Sequence, residues 1–214
     1  MKMNKQGLLI VISGFSGAGK GTAMKRLIEK YDSYALSISA TTRKPRTGEV
    51  DGREYFFKTV EEFEQMIADN KLIEHACYVG NYYGTPREYV EQQMQSGKNV
   101  ILEIEIQGAL NIRKQYPEAV LIFVTPPSAE ALRKRLIGRG TEEMAVIESR
   151  LGRAAEEAQG VENYGYIVVN EDNKLEECVD SIHGIICAEQ QKVSKNIELI
   201  NNIREDLCRF SEGE

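Results

Sequence analysis

Gly14-Phe15-Ser16-Gly17-Ala18-Gly19-Lys20-Gly21-Thr22 leaves this chain few ways to fold. The apolar run before it, Leu8-Leu9-Ile10-Val11-Ile12, is β-branched and unalternating, as a strand covered on both faces of a parallel sheet should be. After Lys20, the residues Met24, Leu27 and Ile28 recur at helical spacing, so the order is strand, glycine loop, helix. The loop itself fits G-x-x-x-x-G-K. Its glycines let successive backbone N–H groups converge on one anion, and the helix amino end adds positive potential. Lys20 extends an ammonium to the β- and γ-phosphates of a bound triphosphate. Gly14 to Thr22 is therefore read as an ATP-type phosphate site. The hydroxyl that commonly follows the lysine is displaced, with Gly21 there and Thr22 one step on, turned by roughly 100°. Direct ligation of Mg²⁺ by Thr22 and ligation through water both stay open.

Three more apolar runs, Val100 to Ile104, Val120 to Val124 and Tyr166 to Val169, alternate with helical pattern. Strands alternating with helices imply right-handed crossovers, hence an α/β fold with a doubly wound parallel sheet core. Glu103 falls at the end of its strand, where an acid that orients a metal would sit; a solvated or capping glutamate is the alternative. A length of 214 residues suits one domain carrying insertions. A net charge of −6 and a pI near 5.2 disfavour duplex nucleic acid or an acidic membrane as partner. Cys77, Cys178, Cys187 and Cys208 form no CxxC pair, and with His75 and His183 they show no ligand-like spacing. Reduced thiols are expected. The apolar run near the amino terminus is too short for a signal segment or a span, so the expected address is cytoplasmic.

Between the first helix and the Val100 strand the chain becomes rich in Thr, Arg, Tyr and Gly, with short alternating runs that suggest a small mixed insertion. There Arg43 and Arg46 stand three residues apart beside hydroxyls and Pro45, and guanidinium forks match phosphate oxygens bidentately. A second insertion, after Pro126-Pro127, is largely helical and crowded with Arg133, Lys134, Arg135, Arg139, Arg150 and Arg153. From Lys174 onward, Val179, Ile182, Ile185 and Ile186 form a helical stripe that should pack on the core.

The stretch from Ser39 to Glu49 resembles the GMP-phosphate loop of guanylate kinases. Asp51-Gly52-Arg53-Glu54-Tyr55-Phe56-Phe57, Leu72-Ile73-Glu74 and Gly80-Asn81-Tyr82-Tyr83-Gly84-Thr85 continue the likeness in order and spacing. The resemblance spans roughly residues 8 to 185 and is specific in combination, whereas the glycine loop alone is shared by many nucleotide-binding families. It implies a P-loop nucleoside monophosphate kinase fold: core over 1–38, GMP-binding insertion over 39–90, core over 91–127, helical lid over 128–160, and core with a C-terminal helix over 161–214. It further implies transfer of the γ-phosphoryl group of MgATP to GMP by a monomer or homo-oligomer. Arg43, Arg46, Tyr55 and Tyr83 would hold the GMP phosphate, and Ser39, Glu74, Thr85 and Glu105 would surround the guanine. Chemistry supports Glu74: guanine offers N1–H and N2–H₂ as adjacent donors to a carboxylate, while adenine presents an acceptor at N1. Two departures stand out, Thr85 where the family often has serine and Glu105 where it usually has aspartate; the latter lengthens the side chain by one methylene.

The segment Leu132 to Thr141 with Ser149-Arg150-Leu151 resembles the family's lid, which puts Arg135, Arg139 and Arg150 near the ATP phosphates or adenine on closure. Asn170 matches a family position near adenine. Such a reaction needs alignment and charge compensation more than covalent chemistry, and the acceptor phosphate is already anionic. Two other readings share these features: a kinase acting on a different nucleoside monophosphate, and a guanylate-kinase-like module that binds peptides without catalysis. The presence of Glu74 with Ser39 argues against the first, and the intact Lys20 and loop glycines against the second.

Overall fold

The computed structural model describes residues 6–78, 80–138 and 143–212. From the amino end, β1 (Leu9–Gly14) leads through the glycine loop into α1 (Lys20–Lys30) and β2 (Tyr34–Leu36). Then come β3 (Ala40–Thr41), β4 (Phe56–Phe57), α2 (Val60–Ala68), β5 (Leu72–Tyr78) and β6 (Asn81–Pro86). The helix α3 (Arg87–Gln95) returns the chain to β7 (Asn99–Glu103), α4 (Ile106–Gln115) and β8 (Val120–Thr125). A helical pair, α5 (Ala129–Gly138) and α6 (Met144–Ala158), precedes β9 (Tyr166–Val169), α7 (Leu175–Gln190) and α8 (Ile197–Glu212).

Five strands form an all-parallel sheet in the order β2-β7-β1-β8-β9. The β1 side chains alternate between two apolar layers, which is why the run needs no polar residues. Ile10 and Ile12 pack with Met24 and Leu27 of α1 and with Ile182 and Ile186 of α7. Leu9 and Val11 pack on the opposite face with Val90 of α3 and Ala109 and Ile112 of α4. Full burial of each such side chain contributes about 1.5–3 kcal/mol before ordering entropy is subtracted. Since β1 lies between β7 and β8, its carboxyl end opens into the crevice where the strand order reverses, the place such sheets hold ligands.

A second, mixed sheet has the order β4-β3-β6-β5. Helix α2 covers it, started by a reciprocal cap in which Thr59 Oγ1 accepts from Glu62 N and Glu62 Oε2 accepts from Thr59 N. Phe63 of α2 is fully buried and stacks on Tyr82 at 5.3 Å between centroids. Ile73 of β5 joins the α3/α4 layer, and Gln115 Nε2 of α4 donates to Ile73 O at 2.9 Å, so the small sheet is tied to the large one beside β7. The α5–α6 pair buries Leu132, Leu136 and Ile147 together, with Phe15 and Leu151 packed against them.

Several boundaries differ from the apolar pattern. The strand expected over Val100 to Ile104 runs Asn99–Glu103, because Asn99 is buried through polar bonds, its Oδ1 accepting from Leu8 N and Gln190 Nε2 at 3.0 Å each. Strand β1 continues past Ile12 through Ser13, whose hydroxyl donates to Ile104 O at 2.6 Å. The edge strand β2 has only three residues and leaves no periodic trace. Beyond Glu189 the chain forms α8, on which Ile197, Ile203, Leu207 and Phe210 are exposed. Among the described residues no helix is long and apolar enough to cross a membrane.

Burial predicts a contrast between the last two helices. Ile182→Ala, at a fully buried α7 position, should lower unfolding free energy by about 2–5 kcal/mol, whereas Leu207→Ala on α8 should stay within about 0.5 kcal/mol. Urea unfolding checks both, and equal losses would contradict the packing described for α7.

Candidate functional site

The glycine loop is held in shape by contacts that exclude side chains. Gly14 has φ 153°, and a Cβ there would lie 2.0 Å from Val124 O of the neighbouring strand. Gly19, at φ 87°, sits at the amino end of α1, and a Cβ on it would come within 2.4 Å of Asn170 Nδ2. No side chain caps α1, so its first-turn N–H groups are presented to the loop cavity. Lys20 folds back over the loop, Nζ donating to Gly14 O at 2.6 Å and Phe15 O at 3.2 Å. Gly21 and Thr22 lie exposed on the first turn of α1.

Neighbouring segments brace this loop. Asn170 is buried after β9 and donates from Nδ2 to Ala18 O at 2.8 Å. Arg135 of α5 donates from Nη2 to Asn170 O at 2.7 Å and to Asp172 Oδ1 at 2.6 Å, with Nη1 3.4 Å from Ala18 O. Arg150 of α6 donates from Nη1 to Ser16 Oγ at 2.9 Å. Phe15 meets Phe123 edge-on at 5.0 Å, and Gly17 lies against Leu132 and Leu136. Thus Phe15 and Gly17 join the loop to the α5–α6 pair by apolar packing, while Arg135, Arg150 and Asn170 converge on the loop through polar bonds. Arg139 lies outside the described residues.

A second cleft, of about 320 Å³, opens between the small sheet and the β7–α4 junction, lined by Ser39, Tyr55, Glu74, Tyr83, Glu103, Glu105, Gln107 and Gly108. Glu74 comes from β5 and is buried, with Oε1 accepting from the Thr85 hydroxyl at 2.8 Å. Thr85 therefore stands behind Glu74 rather than on the cleft wall. Gly108 keeps the other side open, since a Cβ there would approach Glu74 Oε2 to 3.2 Å. At the cleft mouth, Arg43 stacks its guanidinium over Tyr55 at 5.2 Å, and Tyr55 meets Tyr83 edge-on at 6.1 Å. Arg43 Nη2 donates to Glu49 Oε1 at 2.9 Å, and Glu49 Oε2 accepts from the Arg46 backbone N–H at 2.7 Å. The Arg46 side chain is exposed.

Charge is distributed unevenly across this region. Burial pushes the Glu74 carboxyl above its ordinary value, against the opposing Thr85 hydrogen bond. Desolvation likewise raises Glu103, with the Lys20 charge acting the other way, so the end of β7 and the glycine loop sense one another's charges. Glu49 is shifted down, first by its bond from Arg43 and then by the Arg46 N–H. The apolar and motif signals missed Glu49 and Asp172, the carboxylates that engage Arg43 and Arg135. Glu49 lies three residues past Arg46, and an acid close in sequence to paired arginines was a usable signal; Asp172 left none, being 37 residues from its partner.

Among the described residues there is no group of three or more His, Cys, Asp or Glu side chains able to hold a metal. Mg²⁺ does not need one, because it keeps several waters and is held by substrate phosphates with one or two oxygen ligands. The oxygen donors Thr22 and Glu103 fit that requirement.

A family model described as guanylate kinase matches residues 6–189. Guanylate kinase from Caldanaerobacter subterraneus subsp. tengcongensis is 51% identical over 206 residues, covering 96% of this chain and 99% of that one. Guanylate kinase from Bacillus subtilis is 53% identical over 191 residues, covering 89% and 93%. Among solved structures, the crystal structure of guanylate kinase from Anaplasma phagocytophilum superposes with a TM-score of 0.71 at 34% identity, covering 89% of this chain and 90% of that one.

The raised Glu74 carboxyl has a consequence for stability. A carboxylate whose folded value exceeds its unfolded value binds more protons when folded, so stability falls as pH rises from about the ordinary 4.5 through the folded value. Glu74→Gln should remove that loss, so that the stability at pH 7 minus that at pH 4 is larger in the variant than in the wild type. Denaturant unfolding at both pH values measures it, and identical profiles for the two proteins would refute the desolvated carboxylate.

Proposed function

The chain belongs to the guanylate kinase family, and on that premise we propose that it transfers the γ-phosphoryl group of MgATP to GMP, with dGMP as a second acceptor, giving ADP and GDP. The observation that carries the reading is the buried Glu74 carboxylate, braced by Thr85, in a cleft that also contains Glu103, which pairs beside Ile12 of β1, the strand that leads into the glycine loop. A buried acceptor of two hydrogen bonds suits N1–H and N2–H₂ of guanine and rejects adenine, whose N1 would face it lone pair to lone pair.

In this reading the loop N–H groups from Gly14 to Thr22 cradle the ATP phosphates, and Lys20 exchanges its carbonyl partners for β- and γ-oxygens. Arg43 exchanges Glu49 for the GMP phosphate, aided by Arg46 and the hydroxyls of Tyr55 and Tyr83. Ser39, Glu74 and Glu105 face the base. Asn170 keeps the loop in register beside adenine. An acceptor phosphate oxygen, already anionic, attacks the γ-phosphorus in line as the bond to the ADP oxygen breaks, so no general base is required. Arg135, Arg139 and Arg150 compensate charge on the donor side. Bound Mg²⁺ would neutralise phosphate charge, held by ATP with Thr22 and Glu103, directly or through water. Closure of 128–160 over the cleft excludes water that would otherwise accept the phosphoryl group. We place this recycling of GMP within purine nucleotide metabolism in the cytoplasm, with nucleotides rather than nucleic acid or membrane as partners.

A coupled assay offering ATP with GMP, AMP, CMP or UMP should give turnover with GMP far above the others; preference for AMP, or no turnover, would overturn the reading. Glu74→Gln should raise the KM for GMP by about tenfold or more while leaving the KM for ATP within about twofold. Lys20→Met should lower kcat by about 10²-fold or more, as removal of a charge aimed at the transition state does.

A further inference from the structure

Arg153 lies on α6 one turn beyond Arg150 and faces the other subsite. Its Nη2 donates to Glu105 Oε2 at 2.7 Å, while its Nε stands 3.5 Å from Glu157 Oε1 on its own helix. Glu105 immediately precedes α4 at its N-cap position, and it lines the acceptor cleft with Glu74 and Gly108. The guanidinium is thus shared between an acid of the lid helix and an acid of the acceptor wall. Burial raises the Glu157 carboxyl, with Arg153 opposing, the Glu105 charge reinforcing and Lys20 opposing. These four groups therefore share one electrostatic neighbourhood.

The pair has side-chain exposures of 41% and 61%, and an ion pair that open adds little to folding. Its placement gives it another use. The same helix engages the donor loop through Arg150 on Ser16 and through Leu151, packed with Phe15 in the lid cluster. A displacement of α6 by a triphosphate in that loop would act on Glu105 through Arg153. The extra methylene of Glu105 relative to aspartate gives its carboxylate more reach toward α6.

We propose that Arg153 is a positioning residue for the acceptor: acting through Glu105, it ties the lid helix to the base-binding wall, so that occupancy of the donor loop tightens binding of the purine monophosphate. The inference rests on the guanine site proposed above. It is reciprocal by thermodynamic necessity, so GMP tightens ATP by the same factor.

Calorimetric titration of the full chain with GMP, with and without a non-hydrolysable ATP analogue and Mg²⁺, reads the coupling as a ratio of dissociation constants. The wild type should show a ratio of about five or more. Arg153→Gln should bring it near one, Glu105→Gln should do the same, and the double variant should lose nothing further. Arg153→Lys should retain part of the coupling, and unfolding midpoints should be unchanged, which separates positioning from a structural role. A ratio that survives Arg153→Gln, losses that add in the double variant, or no tightening in the wild type would overturn the inference. Wild-type phosphorylation of GMP is measured alongside: an active wild type without this coupling defeats the inference alone, and an inactive one defeats the proposed function as well.

Discussion

The whole arrangement depends on one steric fact, that the chain between β1 and α1 passes too close to its neighbours for side chains. With Gly14 pressed under Val124 O and Gly19 against the Asn170 amide, the backbone turns its N–H groups inward and starts α1 without a side-chain cap. An anion is the natural partner of such a surface. The central position of β1 then decides where the anion lies, at the carboxyl edge of the sheet between β7 and β8. Asn170, Arg135 and Arg150 bond to that loop, and Leu132 and Leu136 pack against it.

The side chains around the two clefts follow a different logic, in which guanidiniums are held by carboxylates. Arg43 is held by Glu49, Arg135 by Asp172 and Arg153 by Glu105, each partner an acid in ion-pair contact. A phosphate binding there as proposed would compete with carboxylates already in place, so its binding would be an exchange of partners rather than the filling of an empty cation site. Glu74 is the exception. It has the Thr85 hydroxyl beside it, and burial drives its carboxyl upward, a shift that a pair of donors from the proposed base would offset.

Much of this was legible in the residues. The unalternating Leu8 to Ile12 run, the glycine loop and the stripe through Val179, Ile182 and Ile186 carried the doubly wound core, because burial on two faces writes itself into continuous apolar sequence. Polar burial did not: Ser13 and Asn99 belong to central strands through hydrogen bonds that no hydropathy pattern encodes. The three residues of β2 were too few to show a period. At the site, Ser39, Tyr55, Glu74, Tyr83 and Glu105, read from the family likeness, line one cleft, while Thr85 lies behind Glu74. Asp172 and the Arg153–Glu105 pairing left no trace, since an ion pair between segments is set by the fold and not by local pattern; Arg153 stood only in a run of basic residues, and Glu49, close to the paired arginines, was legible but not singled out.

The most direct measurement joins both subsites in one ligand: adenosine and guanosine linked 5′ to 5′ through five phosphates, titrated into the protein with Mg²⁺. If the glycine loop and the Arg43–Glu74 cleft face one another across a single transfer path, this ligand should bind far more tightly than ATP or GMP, because one association supplies both sets of contacts. Affinity no better than that of ATP alone would mean that the two clefts do not serve one reaction.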